Sequence, residues 1–154
     1  VKGARVLVLG LTFKENCPDV RNTKVVDIVA ELNEYGVKVL VHDPMADAEV
    51  TKHEYDLNLI DLEGLAAVDA IVWAVAHSAF EDITPKRLKA LCGNGNGSGV
   101  VMDVKGVLTR ESVEAVGLGF WILYRIRFKI RGPGNEERLS FLFNSDERDK
   151  CGAI

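Results

Sequence analysis

The segment from Thr12 to Arg21 contains residue types that bind phosphate. Lys14 supplies a concentrated positive charge, and Arg21 supplies a planar guanidinium that can hold two oxygens of an anion at once. A predicted helix follows the segment directly, and the free N–H groups at a helix start also attract anions. The segment therefore predicts a phosphate-binding loop, with solvated surface charge as the alternative.

Two more candidate residues lie at the ends of predicted strands. His77 directly follows one apolar segment, and Lys105 directly follows another. The carboxyl ends of parallel strands share one edge of a sheet, so Lys14, His77 and Lys105 are predicted to converge on one rim. Each also has a structural alternative, because a lone histidine commonly supports a core and Lys105 could pair locally with Asp103.

Hydrophobic patterning predicts the elements that must position these residues. Strands buried on both faces are predicted where apolar and β-branched residues run together, at 4–10, 37–43, 69–76 and 99–104. Helices are predicted at 22–36, 84–93 and 109–117, and residues 56–67 could hold a further short strand and helix. This alternation predicts an α/β, doubly wound, mainly parallel, Rossmann-like sheet with helices on both faces. Such sheets bind ligands beyond the carboxyl ends of their strands.

Capping residues support two of the predicted helices. Asn22 or Thr23 can accept N–H groups at the start of the first helix, and Gly36 can end it. Thr84 and Pro85 suit the N-cap and the first position of the second helix. The first of these helix starts lies directly after the charged segment, as a phosphate-binding loop requires.

The composition limits the function classes. The chain has 154 residues, 27% of them charged and 47% hydrophobic, which suits one folded domain with a core. Its net charge of −4 gives no general attraction for nucleic acid or an anionic membrane, and its apolar runs are too short to span a bilayer. Three cysteines without a CxxC pair predict reduced thiols, a cytoplasmic location and no metal site.

Several segments match a known family in their order and spacing. They are VLVLGLTFKENCPDVRNTKVVDIVAEL, GVKVLVHDP, DAIVWAVAHSAF and MDVKGVL. Over residues 1–121 the chain resembles the C-terminal UDP-binding domain of the UDP-glucose/GDP-mannose dehydrogenase family. TFKENCPDVRNTK is more similar to the UDP-N-acetylgalactosamine or UDP-N-acetylglucosamine 6-dehydrogenases than to the UDP-glucose branch. The resemblance implies oxidation of a sugar C6 alcohol to a carboxylate by NAD⁺, in the synthesis of polysaccharide precursors.

The same resemblance implies roles for five residues. Phe13 and Lys14 match a pair that contacts the UDP-sugar, and Lys105 matches a basic residue that faces the UDP-sugar from the adjoining strand end. His77 matches a position near the uridine pocket and is assigned to the substrate. Arg21 matches an arginine that reaches toward the NAD cofactor at a domain interface. The charged segment would thus join the nucleotide sugar to the cofactor-bearing domain.

Members of this family carry their remaining machinery elsewhere. NAD is bound by an N-terminal Rossmann domain with a GxGxxG loop, and the catalytic cysteine lies in a central region within a GGSCFPKD-like motif. Neither motif occurs in this sequence. A charged loop could stabilise the thiolate of Cys17, but KENCPD matches the UDP-binding loop and not the nucleophile motif. We therefore predict no catalytic residue here and no dehydrogenase activity from this chain alone.

The expected partners follow from this division. They are a UDP-sugar and the NAD-binding and central domains of a longer enzyme. The resemblance implies that this full enzyme is a homodimer. No nucleic acid or membrane partner is expected. The chain begins with Val1, which suggests a fragment. The alternative function is a stand-alone, non-catalytic nucleotide-binding or regulatory module, and a weaker one is a Rossmann-like domain for another ligand.

Residues 122–154 depart from the family pattern. RIRFKIR alternates basic and apolar residues, so it could form an added edge strand, contact an anionic surface, or have no packed role. The glycines, proline and charges that follow favour the last of these. We predict a mobile tail at 122–154 after the UDP-binding domain at 1–121.

Overall fold

The computed structural model describes residues 2–93 and 99–122 together with the backbone of residues 127–130 and 137–140. The strands of its main sheet are β1 (Arg5–Leu9), β2 (Lys38–His42), β3 (Ala70–Trp73), β4 (Val100–Asp103) and β5 (Gly119–Ile122). The α-helices are α1 (Val25–Glu34), α2 (Ala48–Tyr55), α3 (Pro85–Leu91) and α4 (Arg110–Glu114). A short 3₁₀ helix spans Ser78–Phe80.

The main sheet has five parallel strands in the order β2-β1-β3-β4-β5. From β1 the chain first moves outward to β2 and later returns to the other side of β1 as β3. The crevice between the carboxyl ends of β1 and β3 is therefore the switch point at which sheets of this kind bind ligands. The predicted doubly wound, parallel α/β fold is confirmed.

The central strand β1 is buried on both faces, because its alternate side chains enter two separate cores. Leu7 and Leu9 join a cluster that includes Leu88 of α3 and Val113 of α4. Val6, Val8 and residues of α1 join the opposite cluster, whose helical members are Val25, Ile28 and Val29. Helices therefore cover both faces of the sheet, which explains why β1 reads as an unbroken apolar run.

Thr84 caps α3 as predicted, whereas the N-cap position of α1 is Lys24, which makes no side-chain cap hydrogen bond. The N–H of Val25 donates to Thr23 Oγ1 at 3.2 Å, and Gly36 adopts φ 71° just after α1 ends. At the start of α3, Thr84 Oγ1 accepts the N–H of Arg87 at 3.3 Å, and proline occupies the first turn. Thr23, and not Asn22, is thus the residue whose side chain supports the start of α1.

Three features differ from the predictions. Helix α2 was not predicted, because Thr51 is its one buried residue and the helix lacks an apolar stripe. Its start depends on Asp47, whose side chain accepts two backbone N–H groups. The helix suggested within 56–67 is wrong: Leu59 forms a single bridge to β2, and a turn with Gly64 at φ 70° follows. Strand β5, which was not predicted, completes the sheet beside β4.

Beyond β5, two strands form a separate sheet. β6 (Arg127–Ile130) pairs antiparallel with β7 (Glu137–Ser140), so the described part of the RIRFKIR segment pairs with β7 and does not extend the main sheet. The rest of the predicted tail at 122–154 lies largely outside the described residues, and its mobility stays a prediction. No helix in the described part of the chain is long and apolar enough to cross a membrane.

Candidate functional site

The charged segment leaves the sheet at a point where two strand ends almost touch. Gly10 follows β1 with φ 90°, and a Cβ atom at this position would lie 2.5 Å from the Cβ of Val75, after β3. Only glycine avoids both the unfavourable dihedral angle and the collision. The segments after β1 and β3 therefore begin side by side at the switch point.

Asp43, directly after β2, anchors the start of the charged segment. Its Oδ2 accepts the N–H groups of Leu11 and Thr12 at 2.6 and 3.0 Å, while its Oδ1 accepts those of Met45 and Ala46 at 2.7 and 3.0 Å. Burial by itself would raise the pKa of this carboxyl group, but the backbone N–H groups hold the pKa below its ordinary value. Asp43 is therefore an ionised, buried anchor for two loops.

His77 links Asp43 to the middle of the charged segment. Its ring is fully buried, and its Nε2 lies 3.0 Å from both Asp43 Oδ2 and Thr12 Oγ1. Its Nδ1 accepts the backbone N–H of Asn16 at 3.0 Å, so the ring proton must reside on Nε2. The geometry therefore specifies a neutral histidine, and a direct ligand bond to either nitrogen would replace a bond made within the chain.

Asn16 completes the attachment of the segment to the exit of β3. Its Oδ1 accepts both the N–H and the hydroxyl of Ser78 at 2.9 Å. Its backbone has φ 55°, in the left-handed region that asparagine tolerates better than most residues. Asn16 thus makes three hydrogen bonds, one to His77 and two to Ser78, which join the segments that follow β1 and β3.

Lys105 reaches the charged segment from β4. Its Nζ forms an ion pair with Glu15 Oε1 at 2.9 Å, and hydrogen bonding to Lys105 lowers the pKa of Glu15. The local pairing of Lys105 with Asp103 takes another form, because the buried Asp103 carboxylate accepts the backbone N–H groups of Lys105, Gly106 and Leu108. Asp103 thus shapes the loop, while the ammonium of Lys105 stays at the site.

Phe13 and Lys14 lie at the exposed tip of this arrangement. Phe13 is 59% exposed although it is a large apolar residue, and its N–H donates to the carbonyl of Asp19 at 2.8 Å. Lys14 is exposed too, and its ammonium pairs with no carboxylate among the described residues. An exposed ring beside an unpaired cation suits contact with a ligand or with another protein surface.

Arg21 is placed at the far end of the segment. Its guanidinium binds both oxygens of Asp19 at 2.9 Å, which lowers the pKa of Asp19 to about 2, and 77% of its side chain is exposed. The structure therefore brings Lys14, His77 and Lys105 to one rim, whereas the guanidinium of Arg21 is paired with Asp19 within the charged segment.

A pocket of about 470 Å³ adjoins the loop after β3. Its lining includes Asn16, His77 and Ser78 from the network described above, together with Trp73 and the apolar residues Val107 and Leu108. Trp73 is 2% exposed, and its Nε1–H has no acceptor among the described residues. A buried donor without a partner is unusual, and it suits a ligand that carries a hydrogen-bond acceptor.

The described residues lack the features that a dinucleotide-binding glycine loop or a metal site needs. Between β1 and α1 the sole glycine is Gly10, so the close backbone approach that a GxGxxG loop offers to a pyrophosphate is not available. No group of acidic, histidine or cysteine side chains in residues 2–93 and 99–122 is placed to hold a metal. Cys17 is half-buried and unpaired, whereas burial raises the pKa of Cys92 to about 11.

Sequence reasoning missed the residues that hold the site together. Asp43 could have been found, because it ends the apolar β2 segment at the same sheet edge as His77. Asn16 and Ser78 gave no such signal, since their contact joins residues 62 positions apart. The importance of Thr12 is equally invisible without the fold, because its partners lie on other loops.

Comparison with known proteins adds independent evidence. A model of the UDP-glucose/GDP-mannose dehydrogenase family, UDP binding domain, matches residues 7–110. The UDP-N-acetyl-D-glucosamine 6-dehydrogenase of Pseudomonas aeruginosa is 48% identical over 111 residues, covering 72% of this chain and 26% of that protein. The Salmonella typhi protein of the same name is 41% identical over 111 residues, covering 72% and 25%. This chain thus spans about a quarter of the length of these relatives.

A solved structure shows the same fold. The NDP-N-acetyl-D-galactosaminuronic acid dehydrogenase from Methanosarcina mazei Go1 superimposes with a TM-score of 0.59 at 21% identity, over 79% of this chain and 24% of that chain. The predicted likeness to the UDP-N-acetylhexosamine branch is confirmed by the two curated relatives. Because the family model covers the chain from the middle of β1 to the first residue of α4, including the whole rim, this chain belongs to the UDP-glucose/GDP-mannose dehydrogenase family through its UDP-binding domain.

Proposed function

We propose that this chain is the UDP-sugar-binding part of an NAD-dependent nucleotide-sugar 6-dehydrogenase that supplies polysaccharide precursors. The observation that carries the proposal is the exposed pair Phe13 and Lys14 beside Lys105, on a loop held to the sheet by the buried hydrogen bonds of Thr12. Two cations beside an exposed aromatic ring can bind a diphosphate and a neighbouring ring system. This geometry lies within the part of the chain that the family model matches.

We further propose that the uridine enters the pocket next to His77. The carbonyl groups of a pyrimidine are acceptors, and Trp73 offers a buried donor without a partner among the described residues. Asn16 and Ser78 supply polar groups on the wall, and Val107 and Leu108 supply apolar surface. His77 in this proposal shapes the pocket from within, through the bonds of its ring.

Arg21 is proposed to face the NAD cofactor, which other domains would bind. Its side chain is largely exposed, and its bidentate pairing with Asp19 fixes the direction of the guanidinium. The cofactor, held by those other domains, would supply the hydride acceptor, and this chain would contribute substrate binding and the interface. We propose that the chain alone is inactive and that the full enzyme is a homodimer. We also propose a cytoplasmic location, in keeping with the free thiols of Cys17 and Cys92.

Titration with UDP by NMR tests the proposal, with AMP and NAD⁺ as comparison ligands. We expect saturable shifts at Phe13, Lys14 and Lys105, and an affinity about tenfold weaker in Lys14→Ala, because a charge-assisted hydrogen bond is lost. Lys38→Ala is the matched control, since Lys38 is exposed at the opposite edge of the sheet. Equal binding of AMP, or equal weakening by both variants, would contradict a specific UDP site.

The uridine placement and the inactivity need separate measurements. The sequence has two tryptophans, so Trp121→Phe leaves Trp73 as the sole indole reporter. UDP should change its fluorescence; an unchanged spectrum at saturation would place the base elsewhere.

NADH formation from UDP-N-acetylglucosamine should be undetectable with this chain and should appear when NAD-binding and central domains are supplied. Activity of the chain by itself would refute the proposed division of roles.

A further inference from the structure

We propose that Asn16 is the positioning residue that holds Phe13 and Lys14 in the geometry needed for binding. The inference rests on the proposed UDP-sugar function, because it assigns a role within the same site. On the side that precedes the pair, Thr12 is fixed through its backbone N–H to Asp43 and through its hydroxyl to the carbonyl of Lys14. On the other side, Asn16 provides the attachment. The two binding residues therefore lie between two anchored points.

The attachment by Asn16 crosses the crevice. Its N–H donates to His77 Nδ1 at 3.0 Å, and its Oδ1 accepts the N–H and hydroxyl of Ser78, both at 2.9 Å. All three partners belong to the segment that follows β3, whereas Asn16 belongs to the segment that follows β1. A loop already held in its bound geometry loses less conformational entropy when a ligand arrives, which strengthens binding without a new contact.

The position demands two properties that asparagine combines. The first is tolerance of φ 55°, which glycine also has, and the second is a side-chain oxygen that accepts two hydrogen bonds. Glycine at this position would keep the backbone conformation and lose both bonds to Ser78. Aspartate would keep an acceptor oxygen at the same distance from the backbone. These two substitutions therefore separate the anchoring from the backbone conformation.

His77 acts through Asn16 in this arrangement. The ring accepts the N–H of Asn16 only while Nδ1 carries no proton, and Asp43 and Thr12 favour that tautomer by accepting from Nε2. Phe80 packs edge-on against the ring, with centroids 5.4 Å apart, and limits its rotation. His77 is thus a positioning residue too, one step further from the ligand.

The test compares the 154-residue chain with Asn16→Gly, Asn16→Asp and Ser78→Ala. Binding of UDP-N-acetylglucosamine is followed by NMR, and backbone order parameters of residues 13–15 are measured without ligand. We expect Asn16→Gly to show lower order at 13–15, because both bonds to Ser78 are lost, and to bind about tenfold more weakly, because the ligand must then order the loop. Asn16→Asp should restore the order, and Ser78→Ala, which removes one bond, should lie between glycine and wild type. Order parameters of β1 and β4 should not change.

Wild-type affinity and unchanged order at 13–15 in Asn16→Gly would overturn the inference. If wild type fails to bind while Asn16→Gly still loosens residues 13–15, the proposed function fails and the inference fails with it, and what stands is the anchoring of the loop by Asn16. If wild type binds and the glycine variant loosens the loop with no loss of affinity, the loop is anchored by Asn16 but its order does not serve binding, which also overturns the inference. Should Asn16→Gly fail to fold, Ser78→Ala decides, because the exposed Ser78 contributes no core packing.

Discussion

Replacing Asp43 with asparagine should destabilise the whole domain, although the two side chains have the same shape. Each carboxylate oxygen accepts two backbone N–H groups, from Leu11 and Thr12 at one oxygen and from Met45 and Ala46 at the other. An amide has one acceptor oxygen, so in either orientation two N–H groups would face an NH₂ donor. An unsatisfied buried donor costs about 1–3 kcal/mol, which gives about 2–6 kcal/mol for the pair. Such a loss is a large part of the stability of a typical domain, about 5–15 kcal/mol.

Urea unfolding, followed by tryptophan fluorescence in the Trp121→Phe background so that the buried Trp73 reports, measures the change in unfolding free energy. Asp61→Asn is the matched control, because Asp61 is exposed and the same chemical change there should alter stability by less than about 0.5 kcal/mol. If Asp43→Asn lost less than about 1 kcal/mol with an unchanged denaturant slope, the buried network would not carry the energy assigned to it.

The same pair of proteins gives a pH dependence with a definite sign. The pKa of Asp43 is lowered in the folded state, so its ionised form adds stability above the unfolded pKa of about 3.9. That contribution should fall as the pH decreases through the lower folded pKa. The stability difference between wild type and Asp43→Asn should therefore shrink in acid, and a difference that grew on acidification would contradict this assignment.

Two other substitutions test the rim. Gly10→Ala should destabilise the protein by about 3 kcal/mol or more in thermal unfolding, because φ is 90° and the new Cβ would lie 2.5 Å from Val75 Cβ. Gly64→Ala is the control and should cost about 1 kcal/mol, because Gly64 has φ 70° but open space around it. Equal losses of stability in the two variants would contradict the close approach at Gly10. Glu15→Gln should strengthen UDP binding about two- to fivefold by titration calorimetry, because the half-exposed Lys105 would no longer be paired with a carboxylate. Weaker binding would instead mean that Glu15 orients Lys105 for the ligand.

Prediction from the sequence succeeded where a local residue pattern is compatible with a single kind of structure. Apolar β-branched runs predicted the first four strands, and the lack of alternation in β1 and β3 agrees with the burial of nearly every side chain in those two strands. The edge rule then predicted that Lys14, His77 and Lys105 would meet, and the structure places all three on the carboxyl edge of the sheet. Local chemistry also sufficed for Thr84, whose hydroxyl caps α3.

The rest depended on contacts between distant parts of the chain. Helix α2 has a buried threonine and no apolar stripe, so its pattern resembles a loop. The tautomer of His77 is set by Asn16 and Asp43, which lie 61 and 34 positions away, and no spacing rule predicts such partners. Asn16 was missed for the same reason, since its left-handed backbone and its acceptor role exist only when β1 and β3 are adjacent.

The attachment of Asn16 also makes the binding loop a late product of folding. Its three hydrogen bonds join residues 61 or 62 positions apart, so closing them requires that β1 and β3 have already paired. A nascent chain that has emerged only as far as α2 contains Lys14 but not the partners that fix its loop. Recognition of the ligand is therefore coupled to the assembly of the central strands, and a chain truncated before β3 should not acquire it.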